Sequence, residues 1–258
     1  MSLRARPIAA ARLAGLALLA AGALPALGYV LPAPSVVKKV AEKRGALELT
    51  SVEVTGSLEL RGAARARLGP LAPAGEAPLS VAARIAVKTP GRARLELQPP
   101  DAAEGQRPFA SVRDDRLAGQ GGLEATPAAA ALVRALAALL ASPRGEEGRP
   151  LADALVRRGV KLDDATLGRF NGRIAYVLGG KASDAGPLAF VDKESFMPLR
   201  LEALEGGVRL DVRLIDWASA IGGDWFPRAV EVWDGSTLLL RFTTEKATAN
   251  PRLPDAQF

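Results

Sequence analysis

The residues that could do chemistry in this chain are carboxylates, because its 258 residues include no histidine and no cysteine. The absence of both types excludes Ser-His-Asp and Cys-His catalysis, histidine metal sites and disulfides. A carboxylate pair or a Ser/Lys pair stays open. The adjacent acidic pairs are Asp114-Asp115, Glu146-Glu147 and Asp163-Asp164. Each lies among residues typical of turns, so we interpret them as turn and cap residues and assign no catalytic residue, metal or cofactor.

The amino terminus has the pattern of a secretory signal peptide. Three arginines and no acidic residue accompany an apolar stretch from Leu13 to Ala23, and Ala26-Leu27-Gly28 supplies small residues for cleavage. The apolar stretch has about eleven residues, fewer than the roughly 20 that a membrane-spanning helix needs. We expect cleavage after Gly28 and an exported, soluble, periplasmic protein without a transmembrane anchor. No cysteine follows the cleavage point to carry a lipid anchor.

The charge of the chain gives no sign of a nucleic-acid partner. The sequence has 34 basic and 28 acidic residues, and three of the basic ones lie in the signal peptide, which leaves 31 against 28. The basic residues alternate with apolar ones along apparent strands, as on a solvated sheet face, and form no basic block. We therefore expect no nucleic-acid binding, and the remaining length fits a single domain over residues 29–258.

Hydrophobic periodicity predicts a chain dominated by strands. A short helix should follow Pro34 and end at Gly45. Beyond it, apolar residues recur at every second position, with Val52, Val54 and Leu58 on one face of a long strand. Later period-two segments are joined by short turns, which predicts an antiparallel meander of about ten strands that should curl. These segments are 79–87, 94–97, 109–117, 167–170, 173–178, 188–191, 199–204, 208–215, 229–233 and 238–244.

Residues 126–159 interrupt the strands with two predicted helices. Thr126-Pro127 precedes a run from Ala128 to Ala141 in which Arg134 is the only polar residue. A shorter helix is predicted from Leu151 to Arg158. The first helix is too short to span a membrane and is apolar nearly all round, so other elements must cover it on several sides.

A strongly curved sheet has a concave face that helices, side chains or a ligand must fill. The helix predicted at 128–141 is the candidate. It is either permanent core or a lid over an apolar cavity, which leaves when a lipid-like ligand enters. Both alternatives require the same apolar residues, so both stay open on the sequence alone.

The carboxyl-terminal half carries a series of short motifs in a characteristic order. They are Val191-Asp192-Lys193, Met197-Pro198-Leu199-Arg200-Leu201, Gly223-Asp224-Trp225-Phe226-Pro227 and Asn250-Pro251-Arg252-Leu253-Pro254-Asp255, closing on Phe258. In this order they resemble the LolA-like superfamily of outer-membrane lipoprotein-sorting proteins. The resemblance implies an α+β, mainly antiparallel fold: an incurved half-open β-barrel of about ten strands, with helices covering the concave apolar face.

The resemblance also implies a function without chemistry, because proteins of that superfamily shuttle acylated or lipid cargo across the periplasm. Segment 126–159 would be a helical lid insertion, longer and richer in alanine than in the best-known carriers. Family members use an arginine near the cavity. Its counterpart here stays open among Arg61, Arg65, Arg84 and Arg94.

The first functional hypothesis is a periplasmic carrier or chaperone that binds lipoprotein acyl chains or another lipid for outer-membrane lipoprotein sorting. We expect a monomer that exchanges cargo with loading and receiving proteins of the inner and outer membranes. Strand parity and helical spacing predict the residues of the apolar cavity and its lid. They are Val52, Val54, Leu58, Val81, Ile85, Leu95, Leu97, Leu132, Leu136 and Leu139.

The second hypothesis is a periplasmic sensor or adaptor that binds a partner protein, as a resemblance to periplasmic sigma-factor regulators allows. A carrier should have an empty apolar cavity, whereas an adaptor should have a filled core and an exposed apolar or edge-strand patch. A third hypothesis, an enzyme without histidine, needs two carboxylates that converge in a polar cleft. The acidic residues here fall mostly on turns and outward strand positions, so we expect no enzyme.

Overall fold

Parts of the chain are described by a computed structural model, and every helix and strand below belongs to the unit Leu31–Phe258. The predicted signal peptide lies outside the described residues, as do most of the proline- and glycine-rich residues 69–78 and the segment 141–147, which holds Glu146-Glu147. The described residues are 30–66, 68, 77–140 and 148–258.

Proline marks the first turn of the three longer helices of the described residues, where its missing N–H costs nothing. The Thr126 hydroxyl, just before the helix that begins at Pro127, does not cap that helix and donates to the Gly122 carbonyl at 3.1 Å. Among the described residues, no helix has the length and apolar character required to cross a membrane. The helices are α1 (Ala33–Gly45), α2 (Gly62–Ala66), α3 (Pro127–Leu139) and α4 (Arg149–Arg157), with 3-10 turns at Glu104–Gln106 and Asp255–Gln257.

Twelve strands form one sheet, against about ten predicted. The segment predicted as one strand at 109–117 is two strands, because Asp114 and Asp115 adopt positive φ angles of 49° and 70° and turn the chain. The strands are β1 (Ser51–Leu60), β2 (Leu79–Lys88), β3 (Arg92–Leu97), β4 (Phe109–Arg113), β5 (Arg116–Gln120), β6 (Ala165–Phe170), β7 (Arg173–Leu178), β8 (Ala189–Asp192), β9 (Pro198–Glu205), β10 (Val208–Ile215), β11 (Ala229–Asp234) and β12 (Thr237–Ala249).

The strand order is β5-β4-β3-β2-β1-β12-β11-β10-β9-β8-β7-β6, with antiparallel neighbours throughout. The first and last strands therefore pair in the middle, and the sheet has two wings that end at β5 and β6. Neighbouring strands are twisted by roughly 20° relative to each other. A sheet of twelve strands therefore coils instead of lying flat. The fold expectation is confirmed: α+β, mainly antiparallel, an incurved sheet left open between β5 and β6 in the described part of the chain.

The register puts the predicted apolar faces of neighbouring strands side by side. Val54 pairs with Ile85, and Ile85 pairs with Leu95. The dipeptide Asn171-Gly172, typical of tight hairpins, joins β6 to β7 with φ angles of 48° and 79°, the two positive values that such a turn needs.

Arg44 is a charged residue at the end of α1 that is only 3% exposed. Burial lowers its pKa to about 10, and the charge of Asp224 partly opposes this shift. Its guanidinium donates to the carbonyls of Asp224 at 2.6 Å and Trp225 at 3.1 Å. Arg44 thereby attaches α1 to the loop between β10 and β11.

Gly56 lies where the two wings meet, at a register shift between β1 and β12. A Cβ atom there would lie 2.0 Å from the Thr243 carbonyl oxygen. Gly56→Ala should therefore destabilise the fold by at least about 1–3 kcal/mol, the usual cost of overpacking. Urea unfolding measures this loss.

Gly105→Ala is the matched control for this substitution, because a Cβ atom at Gly105 meets nothing within 4 Å. Its unfolding midpoint should equal that of the parent protein within error. Equal midpoints for both variants would contradict the close approach of the two central strands at Gly56.

Candidate functional site

Helix α3 lies on the concave face of the sheet and contacts both wings. It packs against β2, β3 and β4 on one side, against β9 to β12 on the other, and against α4. Eleven of its thirteen residues are buried, all of them apolar. The apolar face of the curved sheet is thus filled by the protein's own helix.

The predicted cavity residues are brought together by this packing. All ten predicted residues except Val81 are at most 4% exposed. Val81 lies near the start of β2 and is only partly buried. The residues Val52, Val54, Leu58, Ile85, Leu95, Leu97, Leu132, Leu136 and Leu139 are therefore buried, and the register places Val54, Ile85 and Leu95 side by side in one apolar layer.

A cluster of charges holds α3 at the rim of this layer. Arg134, the single charged residue of α3, forms an ion pair with Glu205 at the end of β9. The other oxygen of Glu205 accepts a hydrogen bond from Arg158 at 3.2 Å, and Arg158 also pairs with Asp115 in the β4–β5 turn. Asp115 lies 3.9 Å from the Nε of Arg134. The cluster thus connects the helix to both wings of the sheet.

This charge cluster was not predicted from the sequence. Its signal was the isolated Arg134 in an otherwise apolar helix, because a lone buried guanidinium needs a carboxylate partner. Glu205 is only 3% exposed, although its position beside Gly206-Gly207 is typical of a solvated turn. Asp115 is a turn residue, as predicted, and also a member of the cluster.

The four arginines left open by the family resemblance occupy other places. Arg84 pairs with Glu53, and Arg94 pairs with Glu96 and stacks on Phe109, all on the outward side of the sheet. Arg61 pairs with Glu59 at the surface, and Arg65 belongs to α2. Arg134 and Arg158 are the arginines at the rim of the concave face.

A hollow of about 280 Å³ opens beside the charge cluster. Arg134, Arg158 and Asp115 line it together with Ala137 and Ala138 from the last turns of α3. Both oxygens of Glu205 are engaged by arginine, and the described residues contain no group of three or more acidic side chains placed to hold a metal ion. The hollow thus combines charged groups of the cluster with apolar alanine side chains of α3.

Comparison with known proteins gives similarity to solved structures only, since no family model and no curated protein matches the chain. A LolA superfamily protein from Nitrosomonas europaea is 14% identical, with 89% of this chain and 98% of that chain covered and a TM-score of 0.47. A DUF1329 family protein from Desulfovibrio piger is 11% identical, covering 88% of this chain and 98% of that chain, with a TM-score of 0.43. MucB in complex with MucA(peri) is 17% identical, with 88% of this chain and 58% of that chain covered and a TM-score of 0.29. The solved structures that this chain resembles thus include a member of the superfamily that its sequence motifs resemble.

Glu205→Gln tests the charge cluster. The substitution leaves Arg134 and Arg158 without their shared carboxylate, and removing one partner of a buried ion pair costs about 3 kcal/mol. We expect a loss of roughly that size in the free energy of unfolding, measured with urea. Glu59→Gln, which breaks the exposed pair with Arg61, should cost less than about 1 kcal/mol. A Glu205 variant as stable as the Glu59 variant would show that the cluster does not hold α3.

Proposed function

We propose that this protein is a periplasmic carrier that binds acyl chains of lipoproteins, or another lipid, on its concave face. The observation that carries the proposal is the identity of what fills that face: a helix apolar nearly all round, attached at the rim by one charged residue. In this proposal residues 1–28 are removed on export, and residues 29–258 act as one monomeric carrier domain. Proteins of the inner and outer membranes load and receive the cargo.

The amino-acid composition of α3 suits a lid that can move away from the concave face. Seven of its thirteen residues are alanine, and an alanine side chain loses little contact area when it is displaced. An acyl chain offers more: each buried CH₂ contributes about 0.8 kcal/mol, so ten of them supply roughly 8 kcal/mol. The lost contacts of α3 offset part of this gain. Binding is then moderate and reversible, as a carrier requires.

The lining of the concave face matches the chemistry of an acyl chain. It includes aliphatic side chains of the β1–β5 wing, such as Val54, Ile85 and Leu95, and the charged groups lie at the rim. When α3 moves aside, these side chains contact the cargo together with Leu132, Leu136 and Leu139 of the displaced helix. The carrier performs no reaction on its cargo, so no catalytic residue is needed.

A second candidate function, a periplasmic adaptor for a partner protein, is favoured by a different observation. The concave face is filled, and the described residues include exposed apolar side chains beside the edge strand β6, namely Leu167 at 37% and Ile174 at 45% exposure. An exposed strand edge with apolar neighbours is a common place for a peptide to add a strand. In this case α3 would be permanent core.

Uptake of a fluorescent fatty acid, cis-parinaric acid, together with hydrogen exchange of α3, separates the two functions. For a carrier, the probe should bind with micromolar affinity and speed amide exchange in Pro127–Leu139, while the central strands β1 and β12 stay protected. Leu136→Asn should weaken uptake at least tenfold, or about 1.4 kcal/mol.

Val156→Asn is the matched control, because Val156 lies on α4 and is 57% exposed; its uptake should equal that of the parent protein. Should Leu136→Asn fail to fold, the exchange of α3 in the parent protein decides alone. No uptake, or uptake without faster exchange in α3, would reject the lid and favour the adaptor.

A further inference from the structure

Four exposed arginines lie around the β4–β5 turn, and three of them form no ion pair with any residue that the structure describes. The four are Arg113, Arg116, Arg149 and Arg157. The nearest carboxylate to Arg113 is that of Asp114, 3.9 Å away and 78% exposed, and the other three form no ion pair within the described residues. Their charges are therefore directed to solvent.

The outward face of the sheet adds a row of like charges at the same end. The register pairs Lys88 with Arg92, Arg92 with Arg113, and Arg113 with Arg116, so four cations lie side by side across β2 to β5. Like charges directly opposite each other destabilise a sheet. A row of this kind costs stability unless something negative lies on it.

Asp255 supplies one negative charge to this row and leaves half of it uncompensated. Its Oδ1 accepts hydrogen bonds from Lys88 and Arg92, each at 2.6 Å. The hydrogen bond from Lys88, helped by the charges of Arg92 and Arg113, lowers the pKa of Asp255. The four cations of the row thus meet two carboxylates, those of Asp255 and Asp114, so the row keeps an excess of positive charge.

Two hollows meet at this end of the molecule. One, of about 630 Å³, is lined by Ser111, Arg113, Asp114, Arg116, Ala118 and Phe258. The other is the hollow beside the charge cluster, which Arg149 and Arg157 also line. Asp114 belongs to both linings, so the four arginines lie around a single turn.

We propose that this end of the protein docks on a membrane surface rich in anionic phospholipid headgroups. The row from Lys88 to Arg116 spans three strand spacings, about 15 Å, which is longer than one phosphate ion and suits an array of them. Guanidinium groups match the geometry of phosphate oxygens. The two groups of arginines line two hollows that share Asp114 of the β4–β5 turn, which places both groups at one end of the sheet. The docking surface is separate from the acyl-binding layer and does not depend on the proposed cargo.

Flotation of the full chain with lipid vesicles tests the proposal. The protein should float with vesicles of phosphatidylcholine containing phosphatidylglycerol and not with pure phosphatidylcholine. Binding should weaken steeply between 50 and 300 mM salt, because salt screens these charges. Each cation near an anionic surface contributes about fivefold in affinity, so a variant without four of them should bind at least tenfold more weakly. That variant combines Arg113→Gln, Arg116→Gln, Arg149→Gln and Arg157→Gln.

A control variant with the same loss of charge removes four exposed cations elsewhere and should bind like the parent protein. It combines Arg169→Gln, Lys181→Gln, Arg228→Gln and Lys246→Gln. Equal losses of vesicle binding in both variants would show that only the net charge of the protein matters. That result would overturn the docking surface. Absence of flotation, release by millimolar inorganic phosphate at constant ionic strength, or capture by polyglutamate beads instead of vesicles would each overturn it as well. Because flotation does not need cis-parinaric acid, either proposal can fail while the other stands.

Discussion

The connection between the two edges of the sheet is the constraint on which the rest of this structure depends. The first strand, β1, and the last strand, β12, pair with each other in the middle of the sheet. The consecutive strands β5 and β6 therefore lie at opposite edges. The segment between them must therefore cross from one wing to the other. The short path runs over the concave face. Helix α3, which covers the apolar layer, lies in this crossing segment, so the chain connects it to both edges of the sheet.

That path explains why α3 has no polar side. A surface helix needs one apolar stripe, whereas a helix that lies in a curved sheet and beneath α4 meets apolar neighbours in most directions. One polar residue is tolerated where the helix reaches the rim, and there Arg134 meets Glu205 and Arg158 meets Asp115. A buried ion pair adds less to stability than an apolar contact of the same size. Removing one partner of such a pair is costly, however, because it leaves the other charge buried without a partner.

Much of this arrangement could be predicted from local sequence. Period-two alternation placed Val52, Ile85 and Leu95 on one face, and the Asn171-Gly172 turn formed as its residue types require. Composition alone identified α3 as a buried helix. These features depend on neighbouring residues, which is why the sequence reveals them.

The rest depends on which distant segments meet. The partner of Arg134 is 71 residues away, and it is fixed only by the crossing of the concave face. The burial of Arg44 depends on a loop 180 residues further along the chain. Whether the concave face is open or filled cannot be predicted either, because a lid and a core helix need the same side chains.

The position of the unpaired arginines relative to α3 gives the two proposals a common geometry. The hollow that Arg149 and Arg157 line is also lined by the last turns of α3 and by the charge cluster. A membrane surface held by these arginines would lie next to the place where the helix reaches the rim. An acyl chain could then pass between bilayer and concave face along a short path, with little of its length exposed to water. Since each exposed CH₂ costs about 0.8 kcal/mol, shortening the aqueous path by a few carbons lowers the barrier to transfer by several kcal/mol. In the two proposals, docking and carrying use different residues that lie at the same end of the protein.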